Sequence, residues 1–108
     1  MLIATRVLRL EKPPTEIPIR IFAPIEEAGS WSCKTEIDWP DGKLTRPIWG
    51  VDAVQALELA MKAIGAQIYA SDHHASGNLM WEEPGKGYGF PVTNNIRDLL
   101  VGDDKRFL

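Results

Sequence analysis

Between Trp31 and Trp39 the chain alternates without a break. Trp31, Cys33, Thr35, Ile37 and Trp39 take one side, and Ser32, Lys34, Glu36 and Asp38 take the other. A period of two is what a half-buried strand requires, with one face on a core and one in water. Pro40-Asp41-Gly42-Lys43 follows and suits a short hairpin turn with a bulge, Pro presetting the first corner and Gly taking the left-handed position. Leu44 to Trp49 then reads as the returning antiparallel strand. Pro47 has no N–H to give to a ladder, which puts that strand at an edge or on a bulge.

Upstream, residues 2–10 read as a strand with Leu2, Ala4, Leu8 and Leu10 on one face and Ile3, Thr5 and Val7 on the other. The prolines of Lys12-Pro13-Pro14-Thr15 end it. Ile17, Ile19 and Ile21 alternate with Pro18, Arg20 and Phe22 in a second strand with an inward isoleucine face, and Pro24 to Gly29 reads as a loop. Downstream, Asp52 and Gln55 form a capping box that opens a helix over residues 53–70. Val54, Leu57, Met61, Ile64 and Ile68 make its apolar stripe, and Glu58 and Lys62 pair on its wet side. At ~1.5 Å per residue this helix is ~27 Å long and spans several strands spaced ~4.8 Å apart. Ser71 to Asn78 reads as a polar loop, Leu79-Met80-Trp81 as a short fifth strand, and Gly85 to Gly89 as a flexible surface turn. Asn94 opens one or two turns through Ile96, Leu99 and Leu100 before a charged tail. The expected fold is α+β, an antiparallel sheet of four to five strands packed on one long α-helix. The 108 residues form a single domain, with an ordered core over about 2–92 and a tail, 93–108, that is a short helix or extended.

Composition narrows the function classes. The chain is 44% hydrophobic and 25% charged, ordinary for a globular protein. A net charge of -3 argues against nucleic-acid binding by phosphate neutralisation. Cys33 is the only cysteine, so no intrachain disulfide forms and a reducing cytoplasm is the expected setting. Arg6 and Arg9 interrupt the N-terminus too early for a secretory apolar core, and no run reaches the ~18 apolar residues that cross a bilayer.

Chemistry-bearing residues are sparse. Asp72-His73-His74 offers two imidazoles, but neighbours in a loop point apart and no Cys or carboxylate stands at a recognised ligand spacing, so no metal, cofactor or catalytic residue is assigned. Gly85, Gly87 and Gly89 lack the following helix of a phosphate loop, and Cys33 sits inward as a small buried hydrophobe. Trp31 and Trp39 belong to the core side of their strand, while Trp49 and Trp81 stand at element ends where a groove can form. Candidate ligand-binding residues are His73, His74, Trp81 and Tyr88. One helix covers one face of a sheet, yet Ile3, Val7 and Phe22 place apolar groups on the other, to be covered by the tail or by another chain.

With these residues in view, the chain resembles a small uncharacterised bacterial family, a domain of unknown function. The resemblance is carried by Ile3 to Arg6, by Trp31 and Cys33, by the helix start Gly50, Asp52, Ala53, Gln55, Ala56 and Leu57, and by Leu79, Trp81, Gly89, Phe90 and Pro91. It spans most of residues 3–91 and implies no activity and no site residues. The expected function is a non-enzymatic protein-interaction module, with an unknown protein partner or a second copy, and neither nucleic acid nor membrane as target. The alternative is a small enzyme or ligand-binding protein whose pocket lies near His73, His74 and the Gly-rich segment 85–90, with Trp81 or Tyr88 stacking on the ligand.

Overall fold

The computed structural model describes residues 1–108. Six strands form one antiparallel sheet: β1 (Leu2–Glu11), β2 (Pro14–Phe22), β3 (Ile25–Glu27), β4 (Ser30–Trp39), β5 (Gly42–Gly50) and β6 (Leu79–Met80). β5 runs along all of β4, while the opposite side of β4 is shared by β2 at Thr35–Ile37 and β3 at Ser30–Ser32. Across the sheet the order is therefore β5, β4, β2 continued by β3, then β1 and β6. The helical elements are α1 (Ala53–Ala70), α2 (Asp72–Ala75), a 3-10 turn over Asn94–Leu99, and α3 (Gly102–Phe107). The fold is α+β, an antiparallel sheet packed on one long helix.

The strand patterns hold in their main lines. Ile17, Ile19, Ile21, Cys33, Thr35 and Ile37 are buried on the inner face, and Pro47 stands on β5, an edge strand. Four local expectations are corrected. A register shift between Leu2 and Ala4 sets Leu2 opposite Phe22, so Leu2 leaves the face of Leu8 and Leu10. The β4–β5 link is a two-residue connection, Pro40 and Asp41, with unbroken register from Trp39 opposite Gly42, and no bulge is needed. Ile25–Glu27, read as loop, is a strand because β2 leaves β4 after Phe22 and the next stretch pairs with the length left open. Ser71–Asn78, read as loop, contains α2, capped by the Ser71 hydroxyl, which accepts from the His74 N–H at 3.1 Å.

The helix starts as expected, with the Asp52 carboxylate accepting the Gln55 N–H at 2.8 Å and the Gln55 side chain accepting the Val51 N–H at 2.8 Å. Its buried line keeps Ile64 and Ile68 of the expected stripe, with Leu57 and Met61 packed beside it, but loses Val54 and gains two alanines. Ala56, Ala60, Ile64 and Ile68 face the core at steps of four, Leu57 and Met61 flank them, and Val54 is 74% exposed. Alanine side chains let the first turns lie close to the sheet, and a stripe judged by side-chain bulk misses them.

The helix packs mainly on β4 and β5, and the segment from Gly87 to Val92, backed by the tail, covers the inner face toward β1. Tyr88, Phe90 and Val92 are buried there while residues 82–86 stay exposed, so the Gly-rich segment is a surface turn at Gly85 and a packed strap from Gly87 onward. It crosses α1 at Gly65, where a Cβ would lie 2.3 Å from the Pro91 carbonyl oxygen. The glycine that weakens the helix locally is thus what lets strap and helix touch. Beyond the strap, Leu100 and Asp104 are buried, extending the packed core well past residue 92. The tail lies on the inner side, so Ile3 and Val7 on the outer face are left 48% and 40% exposed.

Candidate functional site

The four candidate residues separate into two places. His73 and His74 are successive on a helical turn, so their side chains leave about 100° apart. His73 stacks on Trp39 at the β4–β5 hairpin end, ring centroids 5.2 Å apart and planes 19° apart. His74 turns inward, its Nδ1 2.5 Å from the Tyr88 hydroxyl and its ring edge-on to Tyr69 and Tyr88. The Tyr88 hydroxyl also lies 3.4 Å from the Leu79 carbonyl, which can accept its proton when His74 donates from Nδ1. Burial lowers the His74 pKa below the usual histidine value, which keeps the ring neutral.

The Tyr88 contact leads to a residue that no local pattern singles out. The carboxylate of Asp104, on α3, is 2% exposed. Its Oδ2 accepts the Tyr69 hydroxyl at 2.6 Å and the Tyr88 N–H at 2.7 Å, and its Oδ1 accepts the Gly89 N–H at 2.7 Å. Burial, joined by the Asp104 charge, pushes the Tyr88 pKa up to about 12, and burial with the Asp104 hydrogen bond raises Tyr69 further still. Both phenols therefore keep their protons at neutral pH and serve as donors.

Arg6 closes the arrangement from β1. Its Nη1 donates to the Tyr88 carbonyl at 3.1 Å, and its guanidinium lies 4.0 Å over the Trp81 ring and 4.9 Å from the centre of Phe90. Burial lowers the Arg6 pKa, against the opposing pull of Asp104 and Glu82. Gly89 has φ +78°, and a Cβ there would lie 2.6 Å from Arg6 and 2.8 Å from Trp81. Only glycine turns the chain here while letting Arg6 and Trp81 close in. A cleft of about 370 Å³ opens beside this cluster, lined by Trp81, Glu83, Lys86, Asp104 and Phe107 among others.

Of the expected site residues, His74 and Tyr88 meet directly. Trp81 joins them through Arg6, and His73 stands apart with Trp39. The arrangement can hold a carboxylate by two adjacent amides and a phenol. No three His, Cys, Asp or Glu side chains gather in a way that could hold a metal ion. Asp104 and Tyr69 were invisible beforehand, one as an ordinary acidic residue in a charged tail and the other as an aromatic on a helix. A detectable signal did exist at Tyr88, Phe90 and Val92, whose alternation with Gly89 and Pro91 has the period of a packed extended segment.

No curated protein and no solved structure matches the chain. A family model described as Domain of unknown function (DUF6968) matches residues 4–92, a span that holds β1 from Ala4 on, β2 to β6, the long helix, Arg6, Tyr69, His74 and the strap. By that match, which covers most of its length, the chain belongs to this family.

Proposed function

We propose that the protein is a non-enzymatic interaction module that joins a second copy of itself through the open edge of β1. The observation that carries this reading is the length of β6. It pairs only with Arg9 and Leu10. The Glu11 N–H donates to the Asn78 carbonyl at 3.1 Å, and alternation along β1 turns the backbone groups of Thr5 and Val7 toward the same side, beyond the reach of β6. The opposite edge is guarded by Pro47, Lys43 and Arg46, whereas β1 offers Ile3, Thr5 and Val7. Antiparallel pairing about Thr5 sets Ile3 of one copy across from Val7 of the other. It also sets Arg6 across from Ala4, so that no like charges face each other. The lone thiol, Cys33, is buried, and a single unpaired cysteine suits the reducing, cytoplasmic setting proposed for the module.

Sedimentation across a range of concentrations tests the reading. The expected result is a reversible dimer that Val7→Lys converts to a monomer of unchanged melting temperature, since Val7 faces solvent. A wild-type monomer at every concentration, or an intact Val7→Lys dimer, overturns it. The alternative, a ligand-binding protein or enzyme, draws on the 2.5 Å contact of His74 with Tyr88. Two phenols that retain their protons suit binding better than proton abstraction.

A further inference from the structure

The buried carboxylate of Asp104 occupies a place that looks built for a ligand. Two successive backbone amides, Tyr88 and Gly89, converge on it from a turn whose glycine has positive φ, and such paired amides form an anion-holding concavity. The Tyr69 hydroxyl adds a third donor, and Arg6 lies behind the turn, bonded to the Tyr88 carbonyl. Every one of these receptor groups lies within residues 4–92, the span matched by the family model, while Asp104 lies beyond it. The receptor is thus part of the family domain, and its occupant comes from the segment that follows.

We infer that the amides of Tyr88 and Gly89 with the Tyr69 hydroxyl form a carboxylate-binding site, which the chain's own tail fills in cis through Asp104 and which an aspartate-bearing peptide segment can fill in its place. The adjoining cleft, whose walls outside the tail include Trp81, Glu83 and Lys86, is where residues flanking such an aspartate would lie. Entry requires that α3 and the turn before it lift away, releasing the buried Leu100 and Asp104, the packed Val101 and Leu108, and the bond from the Asp103 N–H to the Lys86 carbonyl. The inference is independent of the β1 edge, which lies outside this pocket.

The test uses full-length Asp104→Ala protein and three probes: a synthetic peptide of residues 99–108, the same peptide carrying Asp104→Asn, and sodium acetate. The readout is the amide resonances of Tyr88 and Gly89. The expected result is that the native peptide returns both resonances toward their wild-type positions. The Asn form should bind roughly ten-fold more weakly or worse, having lost the charge-assisted bonds. Acetate separates the sources: a response to acetate assigns recognition to the carboxylate alone, and a response to the peptide only assigns part of it to the flanking residues. Unmoved amides with all three probes, or equal binding of the Asp and Asn peptides, overturns the site. Should Asp104→Ala fail to fold, wild-type protein cleaved after the exposed Arg97 replaces it. Labelled 99–108 peptide must then exchange into the cleaved protein, and no exchange overturns the proposal. Because the readout is at Tyr88 and Gly89 and not in the oligomeric state, failure here is distinct from failure of the β1 pairing.

Discussion

The inner face of the sheet has two coverings that work by different physics. Over β4 and β5 lies α1, held by Ala56, Ala60, Ile64 and Ile68 against Cys33 and Ile37, an apolar contact. Toward β1 lie the strap and tail, where Tyr88, Phe90 and Val92 are buried and the Asp104 carboxylate is satisfied by three donors. The first covering depends on area removed from water and is forgiving of geometry. The second depends on a polar network that is favourable only when every member is in place. A polar network of this kind is expected to open before the apolar contact under α1.

The harshest way to break this contrast is Ile64→Asp. An unpaired carboxylate at a fully buried position under the sheet costs several kcal/mol by burial of charge, and the variant should lack a cooperative melt. Next is Asp104→Ala, which leaves the Tyr69 hydroxyl and the Tyr88 and Gly89 amides unpartnered and should cost about 3 kcal/mol. Hydrogen exchange should then rise over residues 86–92 and stay slow in α1. Equal loss of protection in α1 would show that the two coverings form one cooperative unit. Gly65→Ala probes the seam between them. Its Cβ meets the Pro91 carbonyl, and a cost of about 1–3 kcal/mol is expected in place of the usual gain for this change in a helix.

The smallest effect is a pH dependence. His74 has a lowered pKa in the folded chain, so the unfolded chain binds the proton more readily as pH falls through the ordinary histidine range. The stability gained by holding His74 neutral is present above the unfolded value of about 6.5 and is lost as pH drops toward the folded one. The groups facing the ring are Tyr69 from α1 and Tyr88 from the strap, both protonated throughout this range. The melting temperature should therefore fall between neutral and mildly acidic pH, and His74→Phe should flatten that slope.

What could be read from the residues alone is local. The alternation of Trp31 to Trp39, the isoleucines of β2, the edge proline and the Asp52–Gln55 cap each announce a local period or a local bond, under either covering. The corrected features lie where geometry depends on a distant neighbour. Leu2 changes faces because of one extra residue in the ladder with β2, and Val54 faces water because alanines do the packing. Tyr69 and Asp104 find each other across 35 residues of chain, a distance no local pattern spans. Of the candidate site, His74, Tyr88 and Trp81 were marked by residue type, while the carboxylate at its centre was not.

Cys33 offers a consequence of a different kind. Its thiol is fully buried on β4, donates to the Phe22 carbonyl at 3.2 Å, and has its pKa raised by burial. A thiol so protected reacts with an alkylating reagent only while the strands around it part. The protein therefore carries its own stopwatch: under native conditions the labelling rate at this one sulfur reports how often the middle of the sheet breathes, with no introduced dye or tag.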